Sequence, residues 1–439
     1  MDGNKKEKKK KSVSTREELM ALSKEELIEQ VLKLEAYNFQ LKNVLNKQLS
    51  GAGADADQKE KDKKQRAFDF SKCTRRHVAL RLLYLGWDYH GLSAQEWTHQ
   101  TVEHRLFAAL TKSCLIESRQ TSNYHRCGRT DKGVSAFCQV ISIDLRSSLT
   151  QEQIDAGMTA GEMPYAKILN RLLPEDMRVL SWRPVPSDFS ARFDCTSRTY
   201  KYFFPRGNLD IALMNEAVQY VVGTHDFRNL CKLDVKNGVT NYVRSVSSAD
   251  VRVSCTDPEG DLSYDMCELT LSGKAFLWHQ VRCIMGILLL VGGGYEHPDV
   301  VKELLEVEER PHKPQYNLAS ELPLNLFHCD YEGSSRAEVV DEEAQREVVQ
   351  TLQRKWAEHA VRARMVRSML SDLPAATAQS NWLLQGVKPK LYCPLLLRPT
   401  CDSVEGRIQH FAKKRRIEMS DDSAGDADTK TLEAEEGDE

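Results

Sequence analysis

Stretches of alternating apolar and polar residues are interleaved along this chain with stretches whose apolar residues recur every three or four positions, so strands and helices can be placed before any chemistry is considered. Residues 78–84 put Val78, Leu80, Leu82 and Tyr84 on one face of a strand. Residues 137–146 repeat the alternation, with Phe137, Ile141, Ile143 and Leu145 apolar and Gln139 and Asp144 polar. Further strands are predicted at 178–185, 198–204, 243–253, 264–271 and 324–331. Between them, Val102, Leu106, Leu110 and Cys114 mark a helix over 100–115 by their spacing of four. Other helices are predicted at 165–172, 210–222 and 278–290, and a charged one at 342–370. Two successive halves rich in strand, helix and strand indicate a mixed α/β core of the α+β kind. No repeat between the halves is visible in the sequence.

The ends are patterned differently. Residues 1–65 hold a lysine cluster (Lys5, Lys6 and Lys8 to Lys11), a helical stretch and a Gly/Ala/Asp/Lys linker from Gly51 to Gln65. Leu27, Val31, Leu34, Leu41 and Leu45 follow four-three spacing with Asn38 on the same seam, which suits a short coiled coil or an isolated amphipathic helix. The expected divisions are therefore an N-terminal extension (1–65), two halves of a core (66–190 and 191–331), a helical insertion with its return segment (332–411) and a basic cluster followed by an acidic tail (412–439).

Charge changes this picture only once its distribution is considered. The net charge of −3 over 439 residues hides ten acidic residues and one lysine in 418–439, so the rest of the chain is mildly basic and suits a polyanionic partner. Twelve cysteines lie scattered without a Cys-x-x-Cys, so neither a disulfide framework nor a zinc site is expected, and reduced thiols in the nucleus or cytosol fit best. His125 and Cys127 are too close and too isolated for a standard zinc site. The longest apolar run, 284–291, is too short to cross a bilayer.

Candidate chemistry concentrates in Cys127-Gly128-Arg129-Thr130-Asp131-Lys132-Gly133-Val134-Ser135-Ala136, where one carboxylate stands between two cations inside a turn bracketed by glycines. Asp131 either caps that turn or faces a cleft at the entrance of the next strand. Arg282 is the other anomaly, a cation on a helix whose neighbours Val281, Ile284, Met285, Ile287 and Leu288 are apolar. An unpaired cation there is costly, so a partner is expected. Asp131 is the favoured partner, and Glu268 or a path along the helix to the surface are the alternatives. Tyr200, Tyr202 and Phe204 share one strand face.

The decapeptide resembles the catalytic loop of the TruA family of tRNA pseudouridine synthases, whose hallmark is Gly-Arg-Thr-Asp-x-Gly-Val. The resemblance continues in order through Ser190-Ala191-Arg192, Arg198-Thr199-Tyr200-Lys201-Tyr202, Gly223-Thr224-His225-Asp226-Phe227 and Ala275-Phe276-Leu277-Trp278-His279-Gln280-Val281-Arg282, covering about residues 76 to 331. Tyr124-His125-Arg126-Cys127 and Arg407-Ile408-Gln409-His410-Phe411 are similar to the eukaryotic branch that acts on uridines 38 and 39 of the anticodon stem-loop. The resemblance implies a pseudouridine synthase fold, two ferredoxin-like halves sharing a mixed, mainly antiparallel sheet flanked by helices. It also implies a homodimer acting on tRNA without cofactor or metal.

Carried over by residue, it makes Asp131, Tyr200 and Arg282 catalytic, with Tyr200 stacking on the uracil and taking the proton from C5. Arg129 would enter the space that the target nucleotide leaves, Leu324 would lie against the base, and Lys132, Arg198 and Lys201 would meet phosphates. The segment His90-Gly91-Leu92-Ser93-Ala94-Gln95 departs from the compact family loop, and Lys132 replaces a common alanine. Lys413-Lys414-Arg415-Arg416 could serve nuclear import, giving a nuclear location with the cytoplasm as a second one. Two competing readings remain at this point: a tRNA-binding or folding factor without turnover, and a coiled-coil scaffold acting through residues 16–49.

Overall fold

A computed structural model describes residues 68–235, 238–332, 338–373, 391–404 and 406–408. The expected coiled coil, the linker at 51–65, the basic cluster at 413–416 and the acidic tail lie outside these residues.

The first half begins with β1 (Arg75–Tyr84), followed by α1 (Val102–Lys112), β2 (His125–Arg126), β3 (Ser135–Arg146), α2 (Gln151–Asp155), α3 (Tyr165–Asn170) and β4 (Met177–Pro184). Thr101 starts α1 by accepting from the backbone N–H of His104 at 3.3 Å, as N-cap threonines do. The second half contains β5 (Cys195–Pro205), α4 (Ile211–Gln219), β6 (Gly223–Asp226), β7 (Val243–Cys255), β8 (Met266–Gly273), α5 (Gln280–Gly292), α6 (Val300–Leu305) and β9 (Leu324–Tyr331). Asp210 caps α4 by accepting from Ala212 N–H and Leu213 N–H.

The strands form one sheet in the order β4-β1-β3-β9-β5-β8-β7-β6, with β2 paired to β3. Setting aside the short β6, each half runs β-α-β-β-α-β with its fourth strand beside its first and its third on the other side, the split arrangement of a ferredoxin-like unit. The shared topology is invisible as sequence similarity because burial and strand period, rather than particular residues, define it. All pairings are antiparallel except the seam between the halves, where β3 and β9 run parallel through Ser135↔Asn325 and Ala136↔Leu326.

Each half has its own core. Leu80, Leu82, Leu106, Leu110, Ile141 and Ile143 are fully buried in the first, and Met214, Leu269, Leu271, Met285, Ile287 and Leu288 in the second. Strand β9 belongs to the second half by sequence, yet its Leu326, Cys329 and Tyr331 pack in the first core. Helix α5 is buried nearly all round, which explains its continuous apolar sequence. A long helix, α7 (Glu342–Asp372), follows the core and packs against it through Ala344, Val348 and Thr351. Among the described residues, no helix is long and apolar enough to cross a membrane.

Candidate active site

The loop carrying Asp131 is held by hydrogen bonds to its backbone and to Thr130. Cys127 N–H donates to Val140 O at 2.8 Å, and the buried Gln139 side chain donates to Gly128 O at 2.8 Å. Tyr84 and Thr130 share a hydroxyl hydrogen bond of 2.7 Å beneath the loop. The segment after Tyr89 clamps the loop from the side, with Leu92 N–H donating to Thr130 O and Gly133 N–H donating to Tyr89 O, each at 3.1 Å. Gly133 is required twice over. Its φ is +79°, and a Cβ there would lie 2.6 Å from Cγ of Glu321.

Asp131 is thereby presented with its side chain about one-third exposed. Trp278 Nε1–H donates to Oδ1 at 3.2 Å, and Nε2 of His279 lies 3.3 Å from Oδ2. Burial pushes the carboxyl above its ordinary range. The charge of Arg282, the indole N–H of Trp278 and the charge of Lys232 pull it back. Lys232 sits 4.2 Å over the Trp278 ring, completing a cationic rim.

Arg282 corrects an expectation. Its Nε donates to Ala319 O and its Nη2 to Glu321 Oε2, both at 2.8 Å, so it lies near enough to Asp131 to act by charge but spends its fork elsewhere. The reason is local geometry. Helix α5 starts at Gln280, two residues later than its apolar pattern suggests, because His279 adopts the left-handed region at φ +60°. Trp278 and His279 therefore stand outside the helix, where Trp278 donates to the carboxylate and the His279 ring lies beside it. Arg282, in the first turn, faces the 319–321 segment, whose Ala319 N–H donates back to Arg282 O. Glu268 is not its partner either; that carboxylate takes Lys201 and Arg252.

The remaining candidates divide. Arg129 and Lys132 are exposed on either side of Asp131. Tyr200 is half-buried, its ring edge-on to Phe276 at 5.2 Å between centroids, and burial raises its hydroxyl pKa well above the usual phenol value. Arg198 is not a phosphate contact. It is buried, and its guanidinium donates to Cys127 O and Arg192 O at 2.9 Å and also to Lys274 O, tying three segments together behind the loop. Lys201 points to the sheet face opposite Tyr200, where it pairs with Glu268 at 3.2 Å and lies over Phe327. Leu324 is buried across from Tyr202; the exposed leucine beside Gly133 is Leu322.

Sequence reasoning gave no role to Trp278, His279 or Glu321. An aromatic pair immediately before an apolar helix was the available signal for the first two. Folding also gathers the buried thiols of Cys127, Cys195 and Cys329, with sulfurs 3.5 and 3.3 Å from that of Cys127. These are soft ligands, but tetrahedral zinc holds sulfurs about 3.8 Å apart and structural sites use four ligands. No fourth His, Cys, Asp or Glu joins the three among the described residues, so the cluster reads as packed thiols.

Comparison with known proteins identifies the family. A family model described as tRNA pseudouridine synthase matches residues 217–332. The human tRNA pseudouridine(38/39) synthase is 46% identical over 428 residues, covering 90% of this chain and 89% of that protein. The enzyme of the same name from Bos taurus is 47% identical, covering 88% and 85%, and that from Saccharomyces cerevisiae is 42% identical, covering 70% and 71%. With relatives of this similarity aligned along nearly its whole length, and with the Asp131 loop built into the seam of a doubled α+β sheet, the chain belongs to the TruA family of tRNA pseudouridine synthases.

Proposed function

We propose that this protein isomerises uridine to pseudouridine at positions 38 and 39 of the tRNA anticodon stem-loop, with Asp131 as the catalytic carboxylate. The observation that carries this reading is Asp131 itself, a partly exposed acid held at the sheet seam by the Trp278 indole N–H on one oxygen, with the His279 ring beside the other, and flanked by the exposed cations Arg129 and Lys132. The reaction breaks the bond from C1′ to N1, turns the freed uracil and rejoins it through C5, after which the C5 proton leaves. Asp131 starts it by attack on C1′ or by removing the C2′ proton.

Burial keeps the Tyr200 phenol neutral at working pH, so it acts as a hydroxyl that accepts the C5 proton while its own proton passes to N1 of the rejoined uracil, which must gain one. Arg282 stabilises the ionised Asp131 through its charge. Arg129 fills the stack when the nucleotide is extruded, and Lys132 meets a phosphate beside it. Pairing of two copies follows from the family resemblance, and nuclear residence from the basic cluster at 413–416.

The test is release of tritium from C5-labelled uridine in tRNA, comparing wild type with Asp131→Asn. The variant should bind the anticodon arm normally and lose at least about 10²-fold in turnover, the usual scale for a catalytic acid or base. Wild-type release by Asp131→Asn would overturn the assignment.

A further inference from the structure

His279 combines several unusual features at one position. It has a left-handed backbone although it is not glycine (φ +60°), a conformation that L residues seldom adopt and that structures keep where function needs it. Its Nε2 faces Oδ2 of Asp131 at 3.3 Å. Its Nδ1 is buried, with no hydrogen-bond partner among the described residues.

The buried Nδ1 identifies the tautomer. A proton on Nδ1 would leave a buried N–H unsatisfied and would set the bare lone pair of Nε2 against a carboxylate oxygen. A proton on Nε2 avoids both penalties and sets an N–H dipole 3.3 Å from the carboxylate oxygen. The ring is neutral, since burial lowers its pKa to about 4 with help from the charges of Arg282, Lys232 and Lys313. Trp278 meanwhile donates to the other oxygen. Two neutral N–H groups on consecutive residues, one hydrogen-bonded and one in polar contact, thus border the two carboxylate oxygens.

We propose that His279 is a positioning residue for the isomerisation, its Nε2–H aiming the Asp131 carboxylate at the ribose while Arg282 is engaged by Glu321. This rests on the reading of Asp131 as the catalytic carboxylate. The left-handed turn at His279 is what delivers the donor: in a helical conformation residue 279 would extend α5 and direct its ring elsewhere. An N–H dipole directed at the carboxylate favours its ionised form, so losing it should raise the Asp131 pKa. The other groups bearing on it are Arg282 and Trp278 from the start of α5, Lys232, and Glu321 before β9; Lys313 acts on the His279 ring.

The test uses the full chain with His279→Asn and His279→Gln. Asparagine tolerates the left-handed region but is too short to reach Oδ2, whereas the glutamine amide can place an N–H near the position of Nε2. His279→Asn should lower the single-turnover rate about 10- to 100-fold with RNA affinity within about twofold of wild type, as expected when orientation rather than binding is lost. Its acidic limb in the pH–rate profile should move to higher pH, and His279→Gln should recover part of both effects.

A merely structural histidine would instead show lowered thermal stability and weakened RNA binding in all variants, with the limb unmoved; that pattern, or wild-type turnover by His279→Asn, overturns the proposal. Nitrogen-15 shifts of the labelled imidazole supply a measurement independent of variant folding: an Nε2–H neutral ring at neutral pH supports it, and an Nδ1–H or cationic ring overturns it. Asp131→Asn run alongside separates the two levels. If that variant is active, the underlying assignment fails. If it is inactive while His279→Asn is normal, only the role of His279 fails.

Discussion

Replacing Arg282 with methionine keeps most of the apolar stem of the side chain in α5 and removes its charge and its donors. Two interactions are lost, from Nε to Ala319 O and from Nη2 to Glu321, each 2.8 Å long. The Arg282 side chain is only 12% exposed, so the bond to the backbone carbonyl is largely shielded and contributes about 1.5–3 kcal/mol. Glu321 is 34% exposed, and water screens that pair to about 0.5–1 kcal/mol. The expected loss of about 2–4 kcal/mol lies within the 5–15 kcal/mol available to a folded domain, so the variant should fold and be testable.

Its effect on Asp131 has a definite sign. Burial already raises that carboxyl and Arg282 is the strongest force lowering it, so the variant should need a higher pH to ionise it. A carboxyl whose folded pKa lies above its unfolded value weakens the fold as pH rises through that interval, and Arg282→Met should deepen this loss. Urea unfolding at several pH values and single-turnover tritium release over the same range would measure both. Arg282→Lys separates charge from hydrogen bonding: it should keep the acidic limb near wild type while losing part of the stability. An unmoved limb in Arg282→Met would refute electrostatic support of Asp131 by Arg282, and unchanged urea stability would refute the claim that it anchors the 319–321 segment.

Two further outcomes follow from groups nearby. Glu103 is fully buried at the start of α1; burial opposes its charge, but Ala94 N–H and the guanidiniums of Arg126 and Arg119 outweigh this and hold its pKa below the usual carboxylate value. Glu103→Gln should cost about 3–5 kcal/mol in urea unfolding near neutral pH, the usual effect of breaking a buried pair, and the gap from wild type should close as pH falls through the folded carboxylate pKa. Equal stability at pH 7 would show that the pair contributes nothing. Arg129→Gln and Lys132→Gln should each reduce the salt dependence of anticodon-arm binding by about one unit in the slope of log K against log salt. Unchanged slopes would remove those side chains from the phosphate interface.

The strands and helices of the core were largely legible, because a sheet with helices against it imposes period two and period 3.6 on its buried positions. Asp131 was legible too, since glycines at 128 and 133 and flanking cations are local features. What could not be read was which distant groups meet. The apolar run of α5 indicates that Arg282 needs a partner, yet partner choice depends on one backbone angle at His279, which no hydrophobic pattern reports. Arg198 and Lys201 looked alike as cations flanking Tyr200, but strand alternation and the neighbouring carbonyls sent one inward as a brace and the other to an opposite face beside Glu268. Charge on a strand signals a polar environment and leaves open whether that environment is solvent, a phosphate or the protein's own backbone.

The parallel pairing of β3 with β9 explains why the site lies where it does. Antiparallel neighbours bring the entrance of one strand beside the exit of the next, whereas parallel neighbours bring two entrances together. With Ser135 opposite Asn325, the approach to β3 carries Asp131 and Gly133, and the approach to β9 carries Glu321 and Leu322 to the same end of the sheet, where Glu321 packs over Gly133. Helix α5, which precedes β9, is tied to that approach through the bonds of Arg282 with Ala319 and Glu321, and this brings Trp278 and His279 up to the carboxylate. Slipping the seam by one residue would turn the inward side chains of β9 to the other face and move Glu321 away from Gly133. The candidate site is therefore a property of the join: the first half supplies the carboxylate, the second supplies the groups packed against it, and neither half contains the site alone.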